Sequence, residues 1–265
     1  MVKLKSTLIW GAAALLIFSS CKKDSPGVNL FSLEDDKNLG LQLKQEIAAN
    51  PSEYPLLDSA QYSDVYKYLY AMRDKILASD EVLYKDDFKW ELKIINDDAT
   101  LNAFAAPGGY IYVYTGLMHY LDSEEQLAGV LGHEIAHADR RHSSRQMTKQ
   151  HGVSTMISVA LGQDPGLLAE VAAGLLTLKY SRTFEAEADE YSVKYLCGTD
   201  WEADGAADFF VKLEAEGGQS TPAFLSTHPD PANRVEDITA LKEELACTGT
   251  QTYKTEYESI LSKLP

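Results

Sequence analysis

The sequence predicts a mainly helical α+β fold in which a small sheet of about three strands packs on one long helix. Three observations carry this. Apolar residues recur at helical spacing over most of the chain, β-rich runs are confined to residues 88–97 and 102–117, and Pro107, Gly108 and Gly109 mark a turn inside the second run. A chain of 265 residues, 45% of them hydrophobic, is long enough to bury a real core. Forty acidic against 24 basic residues give a net charge of -16. That balance argues against a nucleic-acid backbone as partner, because phosphates are held by clustered lysine and arginine, and it reads instead as a solvated acidic surface.

Residues 1–20 have the order of a secretion signal: Lys3 and Lys5, an apolar run from Leu8 to Phe18, then Ser19 and Ser20. About eleven apolar residues are too few to cross a bilayer, which takes about twenty. Cys21 directly after the small residues resembles the lipobox of bacterial lipoproteins, with Phe18 standing where leucine is usual; an ordinary cleaved signal is the other reading. Acyl chains on Cys21 would anchor the protein at a membrane without a spanning helix. Residues 21–30 then read as a flexible tether.

Two packing helices are expected within residues 31–80, from Glu34 to Ala49 and from Tyr62 to Ser79, the second with Val65, Leu69, Met72 and Ile76 on one face. After the strands a long helix starts at Ser123, where Ser123 and Gln126 make a capping box ahead of the stripe Leu127, Val130, Leu131, Ile135 and Ala138. Apolar segments 153–161 and 167–178, broken at Asp164, Pro165 and Gly166, read as a helical hairpin, each arm too short for a membrane. Three more helices are expected over about residues 183–196, 204–216 and 232–245, and residues 247–265 form a C-terminal tail. Apart from Cys21 the cysteines are Cys197 and Cys247; they either pair, tying the C-terminal part back to the helix ending near Gly198, or stand as two buried thiols.

The stretch HEIAHADRRH at residues 133–142 lies on the long helix. Residues four apart sit about 40° apart around a helix, so His133 and His137 aim at one spot, while Glu134 can reach a water there without being a ligand. His142, nine residues on, falls on the opposite side of the helix from His133, so on this geometry it is not a ligand and a structural use at the helix end is left to it. A catalytic zinc takes three protein ligands and an open position. Arg140 and Ser143 stand where a metzincin would carry its glycine and third histidine, so a distant carboxylate is needed. YSRTFEAEADEYS at residues 180–192 offers Glu185 and Asp189 on one helical face, with Glu187 pointing away. In such a pair one acid can bind metal while the other accepts a hydrogen bond from a ligand histidine.

HEIAH, then SRTFEAEAD, then THPDPANR at residues 227–234 resembles the zinc metallopeptidase family that includes HtpX, BepA, LoiP and the CAAX prenyl protease. The resemblance spans residues 81–246 and is closest to the small lipoprotein or periplasmic branch. It implies a zincin-like domain with one zinc ion per chain, held by His133, His137 and Glu185, with Glu134 as catalytic base, Asp189 behind a ligand, and His228 and Arg234 near the active site. It further implies a metalloendopeptidase acting on unfolded or misfolded envelope proteins, lipid-anchored in the bacterial cell envelope, at the outer membrane facing the periplasm. His228 or Arg234 could donate to the developing negative charge; His228 could instead be a fourth, resting zinc ligand, or part of a plain turn at His228-Pro229. Asn102, Ala103, Phe104 and Ala105 are the candidate edge to which a substrate strand adds, or else an ordinary interior strand. The competing function is an envelope chaperone or assembly factor with little proteolytic activity, which would have no need of Glu134.

Overall fold

A computed structural model describes Asn29 and residues 31–160, 165–215, 223–229 and 233–265. The signal segment, Cys21 and the tether except Asn29 lie outside the described residues. Helix α1 (Leu33–Ala49) opens on a capping box in which Ser32 and Asp35 satisfy each other's backbone amides. Helix α2 (Ser63–Leu77) buries Val65, Leu69, Met72 and Ile76, the face its apolar spacing predicts.

The sheet holds β1 (Glu91–Ile95), β2 (Ala103–Ala106) and β3 (Tyr110–Tyr114) in the order β1-β3-β2, with β3 parallel to β1 and antiparallel to β2. All five residues of β3 are buried because both faces are covered. Ile111 and Val113 enter the main core, whereas Tyr110, Tyr112 and Tyr114 pack with Leu43 and Ile47 of α1. Alternate side chains of a strand point to opposite faces, so one run of alternating tyrosine and aliphatic residues serves two cores. The reversal between β2 and β3 runs through Gly108 and Gly109 at φ +77° and +84°, a backbone region open chiefly to glycine.

After the short helix α3 (Thr115–Tyr120) comes α4 (Glu124–Asp139), buried at every position from Glu125 to Asp139. It lies against β2 and against α8 (Arg182–Cys197) and α9 (Gly205–Ala215). The expected capping box at its start does not form. The Ser123 hydroxyl donates to Glu125 Oε1 at 2.6 Å, and Gln126 Oε1 accepts from the Asp122 amide at 2.9 Å. The first helical amide, on Glu124, is satisfied by the carbonyl of Thr252 at 3.0 Å, so the C-terminal segment does the capping.

Helix α4 ends at Asp139, and Arg141 takes a left-handed conformation (φ +59°) before α5 (His142–His151). The turn is pinned from α1: Arg141 Nε binds Asp36 Oδ2 at 2.5 Å, and Nη2 donates to the carbonyls of Phe31 and Ser32 at 2.5 and 3.0 Å. The helix is therefore not continuous to His142, and the angle expected for that residue does not apply. Next come α6 (Val153–Ala160) and α7 (Pro165–Gly174); Pro165, read as part of a break, is the first residue of α7, where its missing amide costs nothing. No described helix is long and apolar enough to cross a membrane.

The chain finishes with α10 (Ala223–Thr227), α11 (Arg234–Glu244) and α12 (Lys254–Leu261). Residues beyond Cys247 fold back onto the core: Tyr257 is fully buried and its hydroxyl donates to the Met118 carbonyl at 2.6 Å. Cys197 and Cys247 are bonded to each other, joining the end of α8 to the chain after α11.

Helices α4 and α9 cross at Gly129, where an added Cβ would lie 2.3 Å from the Ala206 nitrogen. Alanine favours a helix over glycine by about 1 kcal/mol. Forcing two packed backbones apart costs about 1–3 kcal/mol. Gly129→Ala is therefore expected to melt below the parent in a thermal scan; an unchanged or higher midpoint would contradict this packing.

Candidate metal centre

His133 and His137 project from adjacent turns of α4 with their Nε2 atoms 3.0 Å apart. Glu185, in the first turn of α8, brings Oε2 to 3.4 Å from His133 Nε2 and Oε1 to 3.3 Å from His137 Nε2. His228 follows α10 and is stacked on Phe224 with ring centroids 4.3 Å apart. Its Nδ1 stands 3.4 Å from His133 Nε2 and 3.3 Å from Glu185 Oε1. All four side chains are buried, and one ligand atom from each lies within 4.8 Å of the others.

These separations allow a test of fit. Ligand atoms about 2.0–2.1 Å from a tetrahedral zinc are about 3.3–3.4 Å from one another. With Glu185 Oε1 as the carboxylate corner, four of the separations, 3.0 to 3.4 Å, lie close to the edges of that tetrahedron, and the fifth runs from His133 to the other oxygen, Oε2. Glu185 Oε1 is buried with no hydrogen bond, a costly state for a carboxylate oxygen unless a cation meets it. Imidazoles with one carboxylate are donors suited to zinc. The residues fit the ion.

Charge in the cluster follows from its burial. Burial alone would lower the His133 imidazole, but hydrogen bonds to Asp189 and Glu185 outweigh it and raise it to about 9. His137 is pushed well below its ordinary value, by burial first. Burial would raise Glu185, yet the surrounding His228, His133 and His137 hold it well below the usual carboxylate range. Glu134 goes the other way, its carboxyl raised chiefly by burial.

Behind the four groups lies a ring of supports. His133 Nδ1–H donates to Asp189 Oδ1 at 2.8 Å, one turn along α8 from Glu185. Arg234, first residue of α11, spans both acids: Nε to Asp189 Oδ2 at 2.6 Å, Nη2 to Glu185 Oε2 at 2.8 Å and to Asp189 Oδ1 at 3.0 Å. Its guanidinium is thus turned onto the two acids, and Nη1 is buried without a hydrogen-bond partner. Glu134 is fully buried, and neither oxygen makes a hydrogen bond; His228 Nε2 is 3.5 Å from Oε1.

β2 borders this group along α4 and forms an edge of the sheet. Ala103 and Ala105 face the core with α4, while Phe104 stacks on Tyr112 at 4.8 Å on the opposite face. Asn102 lies just before the strand and accepts the Tyr114 amide at 3.1 Å through its carbonyl.

Sequence reasoning missed two neighbours. Tyr180 stacks on His137 with centroids 3.9 Å apart and hydrogen-bonds Ser143 at 2.8 Å through its hydroxyl. His142 places Nδ1 3.0 Å from His137 Nδ1, and Glu187, expected to point away from the metal, reaches His142 Nε2 at 3.2 Å. Tyr180 opens the acidic motif and gave no separate signal; His142 was misplaced by the assumption of an unbroken helix. Burial pushes His142 down to about 4, leaving a neutral ring. Burial would raise Glu187, but His142, Arg145 and Arg140 hold it down at about 2.

The sequence matches the model of peptidase family M48 over residues 68–242. It is 31% identical over 215 residues to the mitochondrial metalloendopeptidase OMA1 of Schizosaccharomyces pombe, covering 79% of this chain and 62% of that protein. It is 33% identical over 151 residues to OMA1 of Arabidopsis thaliana, covering 56% of this chain and 31% of the relative. With the beta-barrel assembly-enhancing protease of Escherichia coli K12 it shares 32% identity over 159 residues, 54% of this chain and 32% of the relative. The chain thus spans less than two thirds of the length of each of these relatives.

A carboxyl whose folded value lies below its unfolded one adds stability above the unfolded value, and loses it as pH falls toward the folded one. For Glu187 that window runs from the ordinary 4.5 down to about 2. In metal-free protein, Glu187→Gln should therefore lower the denaturant midpoint most above about pH 5, and the gap should close in stronger acid. A gap independent of pH would show that the ion pairs around Glu187 do not hold.

Proposed function

The chain belongs to peptidase family M48, and from that premise we propose that it is a zinc-dependent endopeptidase cleaving unfolded or misassembled cell-envelope proteins. His133, His137 and Glu185 hold the ion, and Asp189 and Arg234 fix the orientation of His133 and Glu185. The chemistry zinc supplies at such a site is activation of water near neutral pH and polarisation of the scissile carbonyl.

The observation that carries the reading is Glu134: a fully buried carboxylate with no hydrogen bond, next to the ligand group on the same helix and 3.5 Å from His228 Nε2. Burial raises its proton affinity, which moves it toward the range useful to a general base. Glu134 takes the proton of the attacking water and delivers it to the leaving amine. His228, whose Nδ1 faces His133 Nε2 and Glu185 Oε1, would hold the ion as a fourth residue, and a protein so closed would be latent at rest. This closure also favours the second reading, an envelope chaperone or assembly factor that cleaves little.

Substrate is held extended by adding a strand to β2, whose outer edge is paired with no described strand. Backbone hydrogen bonds of this kind are largely indifferent to side chains, which suits unfolded segments. The name of the Escherichia coli relative, an assembly-enhancing protease for β-barrels, supports an envelope setting. A lipid on Cys21 after removal of residues 1–20 would anchor the enzyme at the outer membrane facing the periplasm.

The test is cleavage of casein by the soluble protein beginning after Cys21, with zinc content measured alongside. Glu134→Gln should keep its zinc and lose about 10²–10⁴-fold in rate, the usual worth of a positioned acid-base group. Equal cleavage by parent and variant would refute the assigned base; zinc bound with no cleavage by either would favour the chaperone reading.

A further inference from the structure

The two histidines on α4 are supported differently. His133 meets a carboxylate directly, whereas His137 Nδ1 meets, among the described residues, His142 Nδ1 at 3.0 Å. His142 is fully buried, stacked on Phe184 with centroids 4.6 Å apart and planes at 13°. Its Nε2 lies 3.2 Å from Glu187 Oε2, and Glu187 is clamped by Arg140 Nε at 3.2 Å and Arg145 Nη1 at 3.3 Å. From these contacts we propose that His142, backed by Glu187, is a positioning residue that fixes the tautomer and ring orientation of His137. The proposal rests on the zinc-site reading above and names the support of its second histidine.

Proton bookkeeping leaves one arrangement. A metal on His137 takes the Nε2 lone pair, so Nδ1 carries the hydrogen. That hydrogen needs an acceptor, and the group that meets it among the described residues is His142 Nδ1, which must then be bare. A neutral His142 with bare Nδ1 carries its hydrogen on Nε2, which is buried 3.2 Å from Glu187 Oε2, within ion-pair distance although out of line for a full hydrogen bond. Each group thus dictates the next, from two arginines to the metal face of His137.

The fold builds this relay deliberately through two elements. Arg141, pinned in its left-handed turn by Asp36 and the start of α1, folds His142 back toward His137 instead of letting it point away. Helix α8 then serves both histidines from two faces. Asp189 goes to His133, while Phe184 and Glu187, three residues apart, cradle His142. Support of this type, when removed, typically costs about 10–100-fold in metal affinity.

The test is zinc affinity, by competition with a chromophoric chelator, for the parent, His142→Phe and His142→Asn. Phenylalanine keeps the stacking and the burial but offers no acceptor, so H142F should bind zinc about 10–100-fold more weakly. Asparagine presents Oδ1 where Nδ1 stood, and H142N should recover most of that loss. H142F as tight as the parent, or H142N as weak as H142F, overturns the proposal alone; a parent that binds no zinc sinks the metallopeptidase reading as well. A second measurement needs no variant: nitrogen-15 spectra of histidine-labelled, zinc-loaded protein should show His142 as the neutral Nε2–H form. The Nδ1–H form there would overturn the relay even if the substituted proteins failed to fold.

Discussion

The candidate metal centre depends on the crossing of α4 and α8, where two imidazoles and a carboxylate are buried with their ligand atoms within 4.8 Å of one another. Groups so placed repel or orphan one another unless a cation joins them. The rest of the fold holds them there. Ser192 on α8 donates to the Gly129 carbonyl on α4 at 2.7 Å, and Tyr195 on α8 donates to Asp139 Oδ2 at 2.8 Å. Asp139 in turn accepts the backbone amides of Leu83 and Tyr84 at 3.2 and 2.8 Å. The two helices are therefore stitched above and below the ligand group.

The third support comes from α11, whose Arg234 reaches across to both acids of α8. The bond between Cys197 and Cys247 closes a loop with a separation of 50 residues that contains α9, α10 and α11. On a chain-entropy account such a loop is worth about 4 kcal/mol against unfolding. It keeps the helix carrying Arg234 beside the helix carrying Glu185 and Asp189. The segment beyond it continues the same work, since Thr252 caps α4 and Tyr257 is anchored under α3.

Periodicity made much of this legible. The i, i+4 spacing of His133 and His137, and of Glu185 and Asp189, follows from helix geometry alone, and the structure brings these four residues together. The three strands and their glycine turn were equally readable, because strand alternation and Gly108-Gly109 are local signals. What escaped the sequence was set by distant partners. Asp36 decides that Arg141 breaks the helix, which swings His142 onto His137; no local pattern near residue 141 announces a partner 105 residues away. The capping box at Ser123 does not form because its two side chains turn to other partners, Ser123 to Glu125 and Gln126 to the Asp122 amide, while the distant Thr252 carbonyl takes the Glu124 amide. Tyr180, pressed on the ring of His137, is visible only once the chain between α7 and α8 is folded.

The central claim is that His133, His137 and Glu185 are the ligands of one ion in a four-cornered site that His228 can complete. X-ray absorption at the zinc edge on the zinc-loaded protein, compared with Glu185→Gln, addresses it most directly. The account predicts four nitrogen and oxygen neighbours at about 2.0–2.1 Å with an imidazole scattering pattern and no sulfur, and a disturbed shell in the variant. A sulfur neighbour, a six-coordinate shell dominated by water, or a spectrum unchanged by Glu185→Gln would contradict it.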